Sequence, residues 1–188
     1  MLIRSLLCVC FVLTTSILHA GETWSHFRGD AGDGRADDAQ LPLEIGEGVN
    51  VKWKIPIAGR GWSSPVIWKD QIWLTTATED GVRMSAICID RRTGKTLHDI
   101  VVFENALADI RFRHPTNSYA SPTPAIEAGT LYVHFGSYGT AAIDTSTGKK
   151  KWERRDFQCN HWRGPAASPV IDGDRLIISY DGVDVQFV

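Results

Sequence analysis

The sequence predicts an all-β fold made of repeated four-stranded antiparallel units, because one motif and one hairpin pattern recur along it. The motif is A-x-D-x-x-T-G-x-x-x-W. Its complete copy consists of Ala142, Asp144, Thr147, Gly148 and Trp152. A weaker upstream copy consists of Cys88, Asp90, Thr93, Gly94 and His98. Such repetition is the signature of a fold assembled from copies of one supersecondary unit.

The hairpin pattern occurs three times. Each copy starts with Ser or Thr followed by Pro and closes on an isoleucine, and an apolar run begins five residues after that isoleucine. The copies start at Ser64, Thr123 and Ser168. The turn formers inside them are Lys69-Asp70, Ala128-Gly129 and Asp172-Gly173. Short apolar segments separated by such residues predict a tight hairpin between neighbouring strands.

Short strands with almost no helical periodicity are predicted from residue 51 onward. Residues 51–57 are predicted to form an outer strand, in which Trp53 takes the place that Trp152 takes later. The strands of the first complete unit are predicted at 64–68, 71–76, 84–90 and 95–103. Those of the second are predicted at 120–126, 130–135, 139–144 and 149–155. A third unit starts with strands at 167–171 and 175–180, and its third strand is expected to begin at Val188.

Residues 50–188 thus hold two complete units and two partial ones. This number decides whether the units can close into a ring. Four-stranded units arranged radially form a β-propeller, typically of about four to eight blades. Two complete and two partial blades cannot close such a ring. We therefore expect an incomplete β-propeller of four-stranded antiparallel blades, a fragment of a ring of about seven or eight blades. Assembly of several copies is the alternative.

The N-terminal region differs from the repeats. Residues 1–20 combine Arg4, an apolar stretch and a small residue at Ala20, as expected of a signal peptide. The apolar stretch is shorter than the roughly 20 residues that a membrane-spanning helix needs. Residues 21–49 are predicted to be a strap. Its acidic residues lack the order of a calcium-binding EF-hand loop, which favours a solvated loop. These residues are Asp30, Asp33, Asp37 and Asp38.

Composition excludes several function classes. The net charge of −2 and the scattered basic residues argue against a nucleic-acid partner. After signal cleavage the chain keeps only Cys88 and Cys159, which could pair in an exported protein but form no zinc-binding pattern. His114 and His134 have no second ligand at metal spacing. We expect no catalytic residue, no metal site and no bound cofactor.

These motifs resemble the PQQ-like (pyrroloquinoline-quinone-like) β-propeller repeat family over residues 51–188. The opening residues 24–29 also resemble the strap that precedes such repeats in exported bacterial proteins. The motif itself predicts that Thr147-Gly148 forms the turn between the third and fourth strands and that Asp144 bonds the turn amides. The resemblance implies that Trp152 docks between blades and that His98 is a weaker dock.

The resemblance is compatible with two functions, a dehydrogenase and a scaffold. A quinoprotein alcohol or sugar dehydrogenase would bind PQQ and calcium, and many such enzymes share a disulfide between adjacent cysteines. No adjacent cysteines remain here after signal cleavage. The alternative is a non-catalytic scaffold similar to the outer-membrane assembly lipoprotein of this repeat class. We predict the scaffold: an exported, periplasmic or extracellular protein that does not span the membrane and that binds a protein or a cell-envelope polymer.

Loops that lead from an outer strand to the next inner strand cross one face of a propeller. Three of them carry aromatic and arginine side chains, the residue types enriched where binding energy concentrates. The candidate contact residues are Trp62, Tyr119, Trp162 and Arg163. Packing of these loops against the blades is the alternative interpretation of the same side chains.

Overall fold

The computed structural model describes residues 23–36 and 41–188. The strands in chain order are β1 (Thr23–Trp24), β2 (Val66–Trp68), β3 (Gln71–Ala77), β4 (Arg83–Asp90), β5 (Thr96–Glu104), β6 (Ala125–Glu127), β7 (Thr130–His134), β8 (Thr140–Asp144), β9 (Lys150–Arg154), β10 (Val170–Asp172), β11 (Arg175–Ile177), β12 (Tyr180–Asp181) and β13 (Gln186–Phe187). Two short 3-10 turns, Leu107–Asp109 and Gly136–Tyr138, complete the secondary structure of the described ranges. The predicted signal peptide, Asp37 and Asp38 lie outside those ranges.

The strands form antiparallel units in sequence order. The first sheet runs β1-β2-β3-β4-β5 and the second runs β6-β7-β8-β9. The third unit consists of two hairpins, β10-β11 and β12-β13. Each sheet is therefore a meander in which neighbours along the chain are neighbours in space. The predicted all-β architecture of antiparallel propeller-type units is confirmed.

Two of the three hairpin turns lie at the residues that the repeated pattern predicts, and the third lies one residue later. Trp68 pairs with Gln71, which leaves Lys69 and Asp70 as the loop, and Glu127 pairs with Thr130 in the same way. Lys69, Ala128 and Gly129 have φ values of 56°, 45° and 78°. Two-residue hairpin loops favour positive φ because that geometry matches the twist of the strands. In the third hairpin Asp172 pairs with Arg175, so the loop is Gly173-Asp174, one residue later than predicted.

Residues 51–57 do not form the predicted outer strand. No strand of the described ranges lies beside this segment, and a strand needs a neighbour to bond its backbone groups. Trp53 is nevertheless held in place, since its Nε1 donates a hydrogen bond to the backbone oxygen of Arg91 at 3.1 Å.

The third unit also departs from the prediction. Its inner strand begins at Val170, after Pro169, which has no N–H to donate. The predicted strand 175–180 is interrupted, because β11 ends at Ile177 and β12 begins at Tyr180. The third strand begins earlier than expected, since Phe187 of β13 already pairs with Tyr180.

The core lies between the first and second sheets. Trp73, Met84 and Phe103 of the first sheet join Leu131 and Phe135 of the second region in one buried cluster. Phe103 meets Phe135 edge to face, with ring centroids 5.9 Å apart. The two sheets are thus packed face to face through apolar side chains, which positions the loops at their ends relative to one another.

The strap bridges the inner strands of both sheets. Thr23 and Trp24 pair with β2, and the backbone oxygen of Ser25 accepts a hydrogen bond from the Ile126 amide of β6 at 2.8 Å. Asp30 fixes the strap by accepting from the Thr23 hydroxyl at 2.6 Å and from the Ser25 amide at 2.7 Å. The strap therefore ties the first sheet to the second from the inner side.

The Ser/Thr-Pro segments have a structural role that their repetition alone did not reveal. The amide of Ser64 donates to the Thr123 hydroxyl at 3.0 Å, and the amide of Thr123 donates to the Ser168 hydroxyl at 3.0 Å. Each unit is therefore bonded to the next by the same backbone-to-hydroxyl contact.

This contact predicts the effect of substituting Thr123, which is 2% exposed. Thr123→Val keeps the shape but removes the acceptor, so the Ser64 amide is left without its partner. We expect the free energy of unfolding to fall by about 1–3 kcal/mol. Urea denaturation measures the loss, and Thr123→Ser, which retains a hydroxyl, is the matched control. Equal stability of the two variants would show that the hydroxyl contributes nothing.

Candidate protein-binding face

The three loops with candidate contact residues meet at one end of the sheets. Arg60 donates through Nη2 to the Pro115 oxygen at 2.9 Å, and its own backbone oxygen accepts from the Ser118 hydroxyl at 3.0 Å. Asn117 donates through Nδ2 to the Arg163 oxygen at 2.7 Å. Loops from all three units are thus joined by direct hydrogen bonds. We call the surface formed by residues 60–62, 114–119 and 161–163 the loop face.

A carboxylate shared by two arginines lies beside the loop face. Glu79 accepts from Arg113 at 2.5 Å and from Arg60 at 3.0 Å. The hydrogen bond from Arg113 and its positive charge hold the pKa of Glu79 below its ordinary value. Two guanidinium groups around one carboxylate leave a net positive charge at this position.

Two exposed tryptophans on the loop face are each stacked under an arginine. Trp62 is 56% exposed and Trp162 is 55% exposed. The guanidinium of Arg60 lies 5.5 Å from the Trp62 ring, and that of Arg163 lies 4.9 Å from the Trp162 ring. Such contacts are worth about 0.5–1 kcal/mol at exposed sites, so they favour one orientation of each indole while part of its surface stays accessible. The loop face thus presents two exposed indoles, each with an arginine beside it.

Tyr119 is not part of that accessible surface. It is 8% exposed, its hydroxyl donates to the Arg111 oxygen at 3.1 Å, and its ring meets Tyr138 edge to face. Burial raises the pKa of the Tyr119 hydroxyl. Its packing matches the alternative interpretation of this loop, so the accessible set is Trp62, Trp162 and Arg163.

A cleft beside Trp62 was missed at the level of sequence. It has a volume of ≈ 440 Å³ and is lined by His26, Phe27, Trp62, Ser121, Ala166 and Pro169, among others. Phe27 is 48% exposed and carries the Arg28 guanidinium 5.6 Å from its ring. The signal was present in the W-S-H-F-R-G opening, which repeats the aromatic-plus-arginine composition of the loops. Its position beside Trp62 depends on the strap crossing two sheets, which no local pattern encodes.

A buried thiol anchors the third of these loops. Cys159 is 1% exposed, and its Sγ lies 3.0 Å from Nε2 of His161. Nδ1 of His161 lies 3.2 Å from the Asp181 oxygen, a geometry in which Nδ1–H donates to the carbonyl and Nε2 accepts from the thiol. Burial raises the pKa of Cys159 and lowers that of His161, so both groups are neutral at pH 7. A neutral, enclosed thiol acts in packing and is not poised as a nucleophile.

The described residues show no reactive thiol and no metal-binding cluster. Cys88 is buried, burial raises its pKa to about 12, and neither it nor Cys159 forms a disulfide. Within the described ranges no cluster of three or more His, Cys, Asp or Glu side chains is arranged to hold a metal ion. The same part of the chain contains no helix of sufficient length and apolarity to cross a membrane.

The repeat motif forms a compact turn away from the loop face. Oδ1 of Asp144 accepts from the amide and hydroxyl of Ser146 and from the amide and hydroxyl of Thr147, at 2.6–3.0 Å. The hydroxyl of Ser146 and the turn amides hold the pKa of Asp144 well below its usual range. Ala142 is fully buried and pairs with Trp152 across β8 and β9. Trp152 remains 41% exposed, with the Tyr132 ring 6.1 Å away.

Comparison with known proteins identifies the repeat. The family model described as "Outer membrane protein assembly factor BamB" matches residues 44–186. No curated protein matches the sequence.

The solved structures that match part of this chain include a BamB and several dehydrogenases. BamB from Moraxella catarrhalis has a TM-score of 0.46 at 19% identity over 68% of this chain and 33% of that one. Quinohemoprotein alcohol dehydrogenase ADHIIG from Pseudomonas putida HK5 has a TM-score of 0.46 at 18% identity over 69% and 18%. A europium-containing methanol dehydrogenase has a TM-score of 0.45 at 12% identity over 63% and 20%. The chain thus spans about a third of the length of that BamB and about a fifth of the length of the dehydrogenases.

Proposed function

Because the chain belongs to the family of outer membrane protein assembly factor BamB, we propose that it is a non-catalytic exported β-propeller that binds a protein partner or an envelope polymer through the loop face. The proposed location is the periplasm or the cell exterior, with residues 1–20 as the signal peptide. The proposal assigns the contact role to Trp62, Trp162 and Arg163.

The observation that carries the proposal is the pair of exposed indoles held under arginines. Aromatic and arginine side chains dominate the binding energy of protein interfaces. An exposed tryptophan with a fixed ring orientation loses little conformational freedom when a partner covers it. Trp62 and Trp162 satisfy both conditions, and hydrogen bonds between their loops keep them on one surface.

The chemistry around the loop face favours binding over catalysis. The thiol of Cys159 is enclosed and neutral, and the neighbouring His161 is bonded to a backbone carbonyl. The carboxylate of Glu79, beside the loop face, is paired with two arginines. These groups are arranged to fix the loops in position, which is what a binding surface requires.

A cross-linking experiment in cells tests the proposal. A photoreactive residue at position 116, an exposed position of the loop face, should capture a defined envelope partner, and the added substitutions Trp162→Ala and Arg163→Ala should weaken that capture. We expect the purified pair to bind at least about thirtyfold less tightly, the factor that corresponds to a hot-spot loss of about 2 kcal/mol. Arg92→Ala, an exposed arginine in the β4-β5 turn, is the matched control.

Two results would overturn the proposal. One is unchanged capture by the double variant when the control also binds normally. The other is enzymatic activity: addition of PQQ and calcium to the purified protein, followed by cofactor absorbance and dye reduction with an alcohol or sugar, would establish the dehydrogenase function instead.

A further inference from the structure

A polar cleft lies between the first and second units, next to the loop face. It has a volume of ≈ 430 Å³ and is formed by the segment after β5, the turn between β7 and β8 and the segment after β9. Its charged lining residues are Arg111, Arg155 and Asp109. The cleft adjoins the loop face because the Tyr119 hydroxyl donates to the Arg111 backbone oxygen at 3.1 Å. We call it the arginine cleft.

Both arginines of the cleft are held by neutral acceptors. Each guanidinium donates to one backbone carbonyl oxygen at 3.0 Å and to one side-chain amide oxygen. For Arg111 these acceptors are Cys159 and Gln158, and for Arg155 they are Tyr138 and Asn105. A guanidinium has five N–H donors, so each arginine keeps three for another acceptor. Neither guanidinium forms an ion pair with a carboxylate of the described ranges.

The charge of the lining matches a single carboxylate group. Two guanidinium groups and the carboxylate of Asp109 leave one net positive charge. Asp184 also interacts with the charge of Arg111, but its Oδ1 accepts two backbone amides, at 2.7 and 2.9 Å, and it lies outside the lining. A carboxylate brings one negative charge and accepts paired N–H donors from a guanidinium. A phosphate monoester brings about −1.5 to −2 at pH 7, which the lining does not balance.

The hydroxyl of Tyr138 adds a further donor to the cleft. Tyr138 lines the cleft and is 8% exposed, and its hydroxyl oxygen accepts from the Arg111 amide at 2.9 Å. This hydroxyl donates no hydrogen bond in return to any residue that the structure describes. An oxygen atom bound in the cleft beside Arg111 would accept the remaining proton.

Exposed apolar side chains beside the cleft indicate a peptide as the source of the carboxylate. Leu107 and Phe112 lie in the same loop as Arg111 and are 69% and 67% exposed. A small inorganic anion has no apolar group to cover them, whereas an acidic residue flanked by apolar residues has. Burial of such side chains around a charged pair is the usual composition of a protein interface.

We propose that the arginine cleft binds the carboxylate side chain of an acidic residue in a partner protein, and that apolar residues beside that acidic residue cover Leu107 and Phe112. The inference rests on the proposed function, because the acidic residue belongs to the partner that the loop face binds. Arg111 and Arg155 contact the carboxylate, and Asp109 limits the negative charge that the cleft accepts.

A peptide titration tests the cleft without the natural partner. The probe is acetyl-Leu-Glu-Leu-amide, and the NMR signals of the Arg111 and Arg155 Nε–H groups report its binding to the protein purified after export. Arg111→Gln should raise the dissociation constant at least about tenfold, since it removes a charged donor pair. Arg92→Gln, in the exposed β4-β5 turn, is the matched control. Asp109→Asn should lower the dissociation constant about twofold, a gain that loss of folding cannot produce.

Two comparison ligands are the same peptide with Gln in place of Glu, and inorganic phosphate. We expect both to bind more weakly than the Glu peptide. Equal binding of the Gln peptide would contradict recognition of a carboxylate, and tighter binding of phosphate would make the cleft a general oxyanion site. Either result overturns the proposal, as does unchanged binding of the Glu peptide to Arg111→Gln.

Cross-linking in cells separates this inference from the proposed function. A photoreactive residue at position 108, an exposed position of the cleft lining, should capture the same partner as position 116, and Arg111→Gln should weaken that capture. Capture at position 116 without capture at position 108 would leave the loop-face function standing and reject the cleft as part of it. Capture at neither position would instead reject the proposed function and, with it, the partner assigned to the cleft.

Discussion

Replacing Trp73 by alanine is expected to lower the free energy of unfolding by about 3–5 kcal/mol, the cost of deleting a large buried aromatic side chain. Trp73 is fully buried in β3 at the centre of the core. Its ring stacks on His98 with centroids 5.8 Å apart, and His98 in turn covers Gly148 of the second sheet. The substitution therefore removes packing within the first sheet and support for its contact with the second.

A hydrogen-bond relay adds to this loss. Trp73 Nε1 donates to Gln71 Oε1 at 3.0 Å, and Gln71 Nε2 donates to the Thr145 oxygen of the second unit at 3.0 Å. Without the indole, the glutamine that links the two units loses its own anchor. Urea denaturation followed by circular dichroism measures the change in stability. Trp62→Ala, which removes an exposed tryptophan, should change it by no more than about 0.5 kcal/mol. Similar losses for both variants would contradict the assignment of Trp73 to the core.

Acidification below pH 6.5 is expected to destabilise the protein through His134. This side chain is 1% exposed in β7, with Nδ1 2.9 Å from the Thr140 hydroxyl and its ring 5.2 Å from that of Tyr180. Burial, with a smaller effect of the nearby His161, lowers its pKa from 6.5 to about 3. The folded protein therefore keeps His134 neutral at pH values where the unfolded chain binds a proton.

This difference in proton binding determines how the free energy of unfolding changes with pH. Above pH 6.5 neither state binds the proton and the histidine has no effect on stability. As pH falls from 6.5 towards 3, stability decreases by up to about 1.4 kcal/mol per pH unit. His161, whose pKa is also lowered by burial, acts in the same direction. Carboxylates with lowered pKa, such as Asp156 at about 2, contribute only at lower pH, below about 4.

Denaturation midpoints measured between pH 6.5 and about 5 isolate the histidines from the carboxylates. His134→Phe keeps a ring against Tyr180 and cannot be protonated, so its stability should depend less on pH over this interval. His114→Phe, which replaces a loop histidine, is the control and should keep the slope of the native protein. The same slope in all three proteins would show that His134 is not the group that titrates.

The sequence predicted the fold where structure depends on local chemistry. The two-residue loops at Lys69-Asp70 and Ala128-Gly129, and the meander order of the strands, follow from turn residues and short apolar segments. Residues 51–57 were wrongly predicted as a strand, because their pattern specifies a strand but pairing requires a partner edge. The interruption at Ile178 and Ser179 was likewise not visible in an apolar run.

The site was predicted less completely, because exposure is decided by tertiary packing. Loops carrying Trp62, Trp162 and Arg163 do come together, as their equivalent places in the repeat implied. Tyr119 is also aromatic and lies in an equivalent loop, yet its ring is enclosed beside Tyr138. The cleft at Phe27 could not be predicted from the sequence, because it depends on where the strap crosses the sheets.

The amide-to-hydroxyl bonds at Ser64, Thr123 and Ser168 all run in the same direction along the chain. Thr123 therefore accepts one such bond through its hydroxyl and donates the other through its amide, and both bonds join a backbone N–H to a hydroxyl oxygen. A gene duplication that inserted another such segment would present matching links on both sides and leave the flanking segments unchanged. Growth or loss of whole blades during evolution is thus compatible with the chemistry of the inner strands.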